Sequence, residues 1–275
     1  MRPLIALALL LPLTLLSTGC ATLWAPTSAD RLESAAQPEG VYVRHIRLRV
    51  APADVADFES LMHDLAVAAT RANLAPEHAW LCYAEPPCRY WLISFGETPG
   101  GAVAEQSFES FARRIAAESG AMPRGDLNQR LAAIDVREDW SHLHRQTLRW
   151  STVEQMTTAT HPKARMVLYR IDKDRIADFD RAMVERTAFL IENEYPLPIE
   201  AFLRLNTARA EAIRVVFPVD WPSFYERDSM DAFQGRLDDA QAARLEELDQ
   251  QLIETVTWME YFDADFIPRL NFGAE

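Results

Sequence analysis

The chain has 275 residues, 49% of them apolar, and a formal net charge of −13 at pH 7. That length and apolar share support a packed core and exclude a disordered polymer. So acidic a balance works against DNA, RNA and anionic lipid headgroups, so no nucleic-acid partner is expected.

Residues 1–19 read as a secretory leader. Arg2 gives a positive start, and Leu4 to Leu16 form an apolar run broken only by Pro12 and Thr14. The run is shorter than the ~20 apolar residues of a spanning helix. Leu16-Ser17-Thr18-Gly19-Cys20 resembles the lipobox of bacterial lipoproteins, with Ser17 where an aliphatic residue is usual. The resemblance implies acylation of Cys20 and, with Ala21 following, attachment to the periplasmic face of the outer membrane. Membrane contact would then be through the lipid anchor alone. An ordinary leader cut near Ala21 or Ala25 is the alternative. Residues 20–40, rich in Ala, Ser, Pro and Gln, suit a flexible tether.

Val41 to Val50 alternates and predicts a strand. Asp54 is placed to cap a helix whose Phe58, Leu61, Met62 and Leu65 fall at helical spacing. His78 to Tyr83 and Arg89 to Phe95 predict a hairpin, Phe108 to Ile115 a second helix, and Asn128 to Asp135 a third. Trp140 to Trp150 reads as the closing strand. The order then recurs: a strand over 165–171, a helix over 174–193, a hairpin over 199–217, helices at 222–233 and 239–253, and a strand over 255–262.

The recurrence is also written in the residues. Asp54-Val55-Ala56-Asp57-Phe58 returns as Arg175-Ile176-Ala177-Asp178-Phe179, with Phe58 and Phe179 121 positions apart. Arg49-Val50 matches Arg170-Ile171 at the same spacing, and Phe95 matches Phe217 at 122. This is a duplicated unit. Repeat 1 spans 41–153 and repeat 2 spans 164–275, with 154–163 as a polar linker holding His161-Pro162.

Each β-α-β-β-α-β unit is ferredoxin-like, giving an α+β fold class. Two copies in tandem resemble the dimeric α+β-barrel superfamily, which includes antibiotic-biosynthesis monooxygenase-like, EthD-like, NIPSNAP-like and chlorite-dismutase-related proteins. The resemblance covers about 220 residues and implies that both sheets close into one pseudo-dimeric barrel. It rests on element order and carries no signature motif, and fold alone does not fix activity.

Alternation sorts the strands into two faces. Ile46, Leu48, Val50, Trp91, Ile93 and Phe95, with their second-copy partners Val167, Tyr169, Ile171, Ile213, Val215 and Phe217, are expected under the helices. The other face carries His45, Arg47, Trp80, Tyr90, His142, His144, Arg170, Arg214, Trp258 and Glu260. The resemblance implies that this face lines the barrel. Its mix of Arg, His, Trp and Tyr suits a pocket for a small aromatic or anionic ligand. An interior filled by its own ion pairs, such as Glu260 with Arg170 or Arg214, is the alternative.

His142-x-His144 with His45 invites a metal reading, but Cys, Asp and Glu at ligand spacing are missing nearby. The haem enzymes of the superfamily place their proximal histidine in the second repeat, and no histidine follows His161 here. Neither metal nor cofactor is expected. Cys82 and Cys88 flank five residues between two strands, and an oxidising compartment favours their pairing as a disulfide. With no nucleophile or acid/base pair in evidence, the expectation is an envelope lipoprotein binding a small ligand or a partner protein. The alternative is a cofactor-independent enzyme like the monooxygenase-like or EthD-like proteins.

Overall fold

The computed structural model describes residues 42–74, 79–96, 107–120, 122–152, 160–204 and 210–273. Cys20, the leader, the tether and residues 154–159 of the linker lie outside them.

The first half runs β1 (Tyr42–Val50), α1 (Val55–Ala72), β2 (Trp80–Glu85), β3 (Arg89–Gly96), α2 (Phe108–Ser119), α3 (Arg124–Ala133) and β4 (Val136–Gln146). Local chemistry sets several of the boundaries. Phe58, Leu61, Met62 and Leu65 give α1 one buried stripe, and Asn73 stops it in the left-handed conformation, donating its N–H to Ala69 and Thr70 carbonyls. Asp54 does not cap α1 through its side chain. Its Oδ2 instead accepts from the Asp135 N–H, tying α1 to the approach of β4. Ser107 and Ser110 form a reciprocal capping box at the start of α2.

The second half repeats the order as β5 (Lys163–Ile171), α4 (Ile176–Glu192), β6 (Ile199–Arg204), β7 (Ala210–Val216), α5 (Met230–Gln234), α6 (Asp239–Ile253) and β8 (Val256–Phe266). Before α5, Trp221–Ser223 is a helical turn and Phe224–Asp228 a wider π turn.

All eight strands are antiparallel and close into one barrel in the order β1-β3-β2-β8-β5-β7-β6-β4. The two four-stranded sheets meet at short seams. Tyr83 and Ala84 pair with Phe266 and Asp265 on one side, and His144, Arg145 and Gln146 pair with Arg204, Leu203 and Phe202 on the other. Closure removes free sheet edges.

Beyond each seam, the chain leaving one half packs on the other. Trp150, after β4, is fully buried with Phe179 and Tyr169 in the second half, and its Nε1 donates to Asp180. Leu270 and Phe272, after β8, pack on the first half, where Trp80 Nε1 donates to the Leu270 carbonyl at 2.8 Å. Gly273 (φ 72°) ends this tail against Ala79, whose Cβ would lie 2.7 Å from any added Cβ. Each half thus seals its partner's hydrophobic core.

Candidate functional site

Strand register decides which side chains enter the barrel. His45 stands opposite Ile93 and His142, and Arg47 opposite Trp91 and Trp140, so these share the inner face. Ile46 and Leu48 stand opposite Leu92 and Tyr90, on the helix side. The expected inner residues His45, Arg47, His142, His144, Arg170, Trp258 and Glu260 do face inward. Trp80, Tyr90 and Arg214 do not. Trp80 and Tyr90 pack with Phe58 and Phe111 beneath α1 and α2, and Arg214 lies under α4 and α6. Conversely Trp91, Ile93, Ile213, Val215 and Phe217 are inside, not under the helices.

Two physical reasons underlie these corrections. Both sheet faces are buried, so an apolar alternation fits either one. The hairpins also slip between the repeats: Cys82 pairs with Leu92 and Ala201 with Arg214, making Trp80 the counterpart of Ile199 rather than Phe202. A slip by an odd number of residues reverses the faces. In the same way Ala264, not Trp258, occupies the second-half place of His144.

The middle of the barrel is an apolar cluster built on Trp91, Met166, Leu168, Phe202, Ile213 and Phe262. Its polar groups come mainly from the first half. His45 and His144 are fully buried, their Nδ1 atoms 3.2 Å apart, and His144 Nδ1 also lies 3.2 Å from the His142 carbonyl. When His144 donates from Nδ1 to both, the Nε2 atoms of His45 and His144 are left buried without a hydrogen-bond partner. Burial pushes the pKa of His45 down to about 3 and, with nearby Arg204, that of His142 to about 4, and it lowers His144 well below its ordinary value. All three are neutral at pH 7. Deeper in, Glu200 accepts from Gln146 and is pushed up to about 8 by burial.

One end of the barrel is closed by ion pairs. Glu85 accepts from Arg47, Arg89 and Trp91 Nε1, while Glu211 binds Arg170, Arg204 and, at 3.8 Å, His142. Glu260 pairs with Arg47, not with Arg170 or Arg214. Arg170 stacks on Trp258, its guanidinium 4.5 Å from the ring centroid. The expected pocket residues here satisfy one another.

Cys82 and Cys88 are both free. Cys82 stands opposite Leu92 in the ladder, whereas Cys88 sits in the turn before Arg89, level with the other end of β2. The separation along the strand is about four residues at ~3.3 Å each, beyond any disulfide.

Open space lies elsewhere, between the second sheet and its helices. A cleft of about 410 Å³ is walled by Val167 and Tyr169 of β5, Arg214 and Val216 of β7, Met259 and Tyr261 of β8, and Asp249, Leu252 and Ile253 of α6. Tyr195, Phe224 and Met230 close its far side. The volume falls within the range typical of small-ligand sites. Arg186 of α4 forms an ion pair with Asp249 behind this floor. Arg214 is 9% exposed, and its Nε and Nη1 have no hydrogen-bond partner. Burial disfavours its charge, but Tyr169, Asp249, Tyr195 and Tyr261 around it shift its pKa upward, so the guanidinium stays charged. Burial pushes the Tyr195 hydroxyl up to about 12 and raises Tyr261 as well, so both phenols remain protonated donors.

Among the described residues no group of three or more His, Cys, Asp or Glu is arranged to hold a metal ion. No helix among them is long and apolar enough to cross a membrane.

No protein-family model matches the chain, and no curated protein sequence does. Its fold is similar to solved structures. An anthrone oxidase-like protein aligns at 9% identity with a TM-score of 0.53, covering 84% of this chain and 92% of its own. A protein assigned as a monooxygenase from Fusobacterium nucleatum subsp. nucleatum aligns at 7% identity and a TM-score of 0.51, covering 84% and 94%. A mutant chlorite dismutase from Candidatus Nitrospira defluvii aligns at 9% and 0.50, covering 86% and 96%. The likeness establishes the dimeric α+β-barrel fold, here closed within one chain.

Proposed function

We propose that this protein is a bacterial envelope lipoprotein, anchored through Cys20, that takes a small molecule into the helix–sheet cleft of its second half. The cleft carries the reading. In the first half Phe58, Tyr90, Trp80 and Phe111 pack against the sheet, and a groove of about 380 Å³ lies between α2, α3 and β4 without a buried cation. The second half leaves about 410 Å³ open beside one. The barrel interior is the weaker candidate, because its middle is filled by the apolar cluster around Trp91, Phe202 and Phe262.

Native mass spectrometry of protein extracted from host membranes tests both parts. The expected result is an acylated N-terminus at Cys20 and a bound small molecule that is lost in Ile253→Trp, which narrows the half-exposed mouth. An unmodified N-terminus at Ala21 or beyond would remove the anchor. A ligand retained at full occupancy by Ile253→Trp would remove the cleft as its site.

A second reading, a cofactor-independent small-molecule enzyme, is favoured by the names of the structural neighbours. Within the cleft the Asp249 carboxylate is held in an ion pair by Arg186. Oxygen consumption with aromatic substrates that depends on Arg214 and Tyr169 would support the enzyme over the binding protein.

A further inference from the structure

Resting on the cleft as the ligand site, we infer that its ligand is an aromatic monocarboxylate whose carboxylate sits against Arg214.

The charge count comes first. Two buried guanidiniums, Arg214 in the cleft floor and Arg186 behind it, share a single adjoining carboxylate, Asp249. Arg186 takes that carboxylate. Arg214 is left with two buried nitrogens and no partner. An isolated buried charge is strongly unfavourable unless something of opposite sign compensates it. One negative charge makes the floor neutral. A second would face the rim carboxylates, Asp231 and Asp263, the latter already held by Arg165 and Tyr225. The site therefore favours a monoanion over a dianion. A planar carboxylate also matches the guanidinium fork.

The walls specify the rest of the ligand. The rings of Tyr169, Tyr195, Tyr261 and Phe224 and the thioether of Met259 surround the cleft, and such groups favour a flat aromatic body. Arg214 itself lies about 6.0 Å from the Tyr169 ring centroid, so the charge and the aromatic wall adjoin.

Calorimetric titration of the full chain with 2-naphthoate, its neutral amide 2-naphthamide, and inorganic phosphate tests the inference. Naphthoate should bind, with the amide at least tenfold weaker and phosphate weaker still. Arg214→Met should weaken naphthoate at least tenfold, and Arg214→Lys should fall between. The ligand-free Arg214→Met protein should melt about 2–4 °C higher than the parent, because it loses an uncompensated charge. Naphthamide or phosphate binding as tightly as naphthoate, unchanged naphthoate affinity in Arg214→Met, or no naphthoate binding at all would overturn the inference. A lower melting temperature for ligand-free Arg214→Met would do the same, since it would make Arg214 a structural residue. Naphthoate binding untouched by Ile253→Trp would instead overturn the cleft reading on which it rests.

Discussion

The two halves share a topology and divide the work. At matched register positions the first half places Leu92, Leu48 and Ile46 on its helix face, and the second places Arg214, Tyr169 and Val167. On the inner face the assignment is reversed: His45, Arg47, His142 and His144 of the first half stand where the second has Met166, Leu168, Phe262 and Ala264. One copy therefore keeps an apolar core under its helices and a polar lumen, while the other has an apolar lumen and places a cation on its outer face. Within one chain the symmetry of a dimer is no longer enforced, so one copy can hold the barrel together while the other carries a cleft.

Exchanging the key residue breaks the contrast most severely. Leu92→Arg would place a guanidinium in the apolar core beneath α1, where Glu59 is already engaged by Tyr90 and Arg269; a loss of several kcal/mol, about 3–5, is expected, with little folded protein by circular dichroism. Soluble, folded Leu92→Arg would mean that the first half has a cryptic cleft of its own.

Next in size is the crossing of the tails. Trp150→Ala empties a fully buried site between the halves and should cost about 3–5 kcal/mol in urea titration. A loss below ~1 kcal/mol would show that the second half closes its core without the first.

The lumen's asymmetry should appear as a stability maximum in pH. His45 and His142 are held near 3 and 4 by burial, against an ordinary 6.5, so below pH 6.5 the unfolded chain takes up protons first. Their contribution is whole above 6.5 and is lost as pH falls toward those values, by up to about 1.4 kcal/mol per pH unit for each. Glu200 acts in the other direction. Raised to about 8 by burial, its contribution is present below 4.5 and lost as pH rises through 8. Stability should peak near pH 6.5, and Glu200→Gln should flatten the alkaline side and steepen the acid side between pH 4.5 and 6.5. An unchanged alkaline limb in Glu200→Gln would place the titrating group elsewhere.

The smallest effect belongs to the rim. Ile253 and Met259 are 52% and 36% exposed, so Ile253→Ala and Met259→Ala should change stability by less than about 1 kcal/mol. Their ligand affinity should fall instead, measured by the same titrations.

The duplication was legible because Phe58 and Phe179 anchor equivalent helices at a spacing that survives both hairpins. The faces of β1 were legible too, since His45, Arg47 and Arg49 alternate there with Ile46, Leu48 and Val50, and the repeat carries that assignment to β5. β2, β3, β6 and β7 were not: their hairpins slip by an odd step between the copies, and both faces are apolar. The bulges at Asp139 and Thr257 compound this, turning Glu138 and Val256 outward although Trp140 and Trp258 point in. Arg214 was placed on the inner face by its alternation and lies on the helix side of its sheet. Nothing local announces the cleft. It arises where the short helical turns at 221–234 cover the sheet incompletely, a matter of volume that strand patterns do not encode.

The tail after β8 sets the order of events when the chain is made. Leu270, wholly buried against Trp80, is synthesised 190 residues after it. The edge of the first sheet therefore stays unsealed until the whole second half has followed. Trp80 Nε1 and the Cys82 N–H gain their partners, the Leu270 carbonyl and Asn271 Oδ1, only then. A deletion of residues 268–273 would accordingly injure the N-terminal half of the molecule, and a quality-control protease would meet the two halves as one unfinished object until that tail arrives.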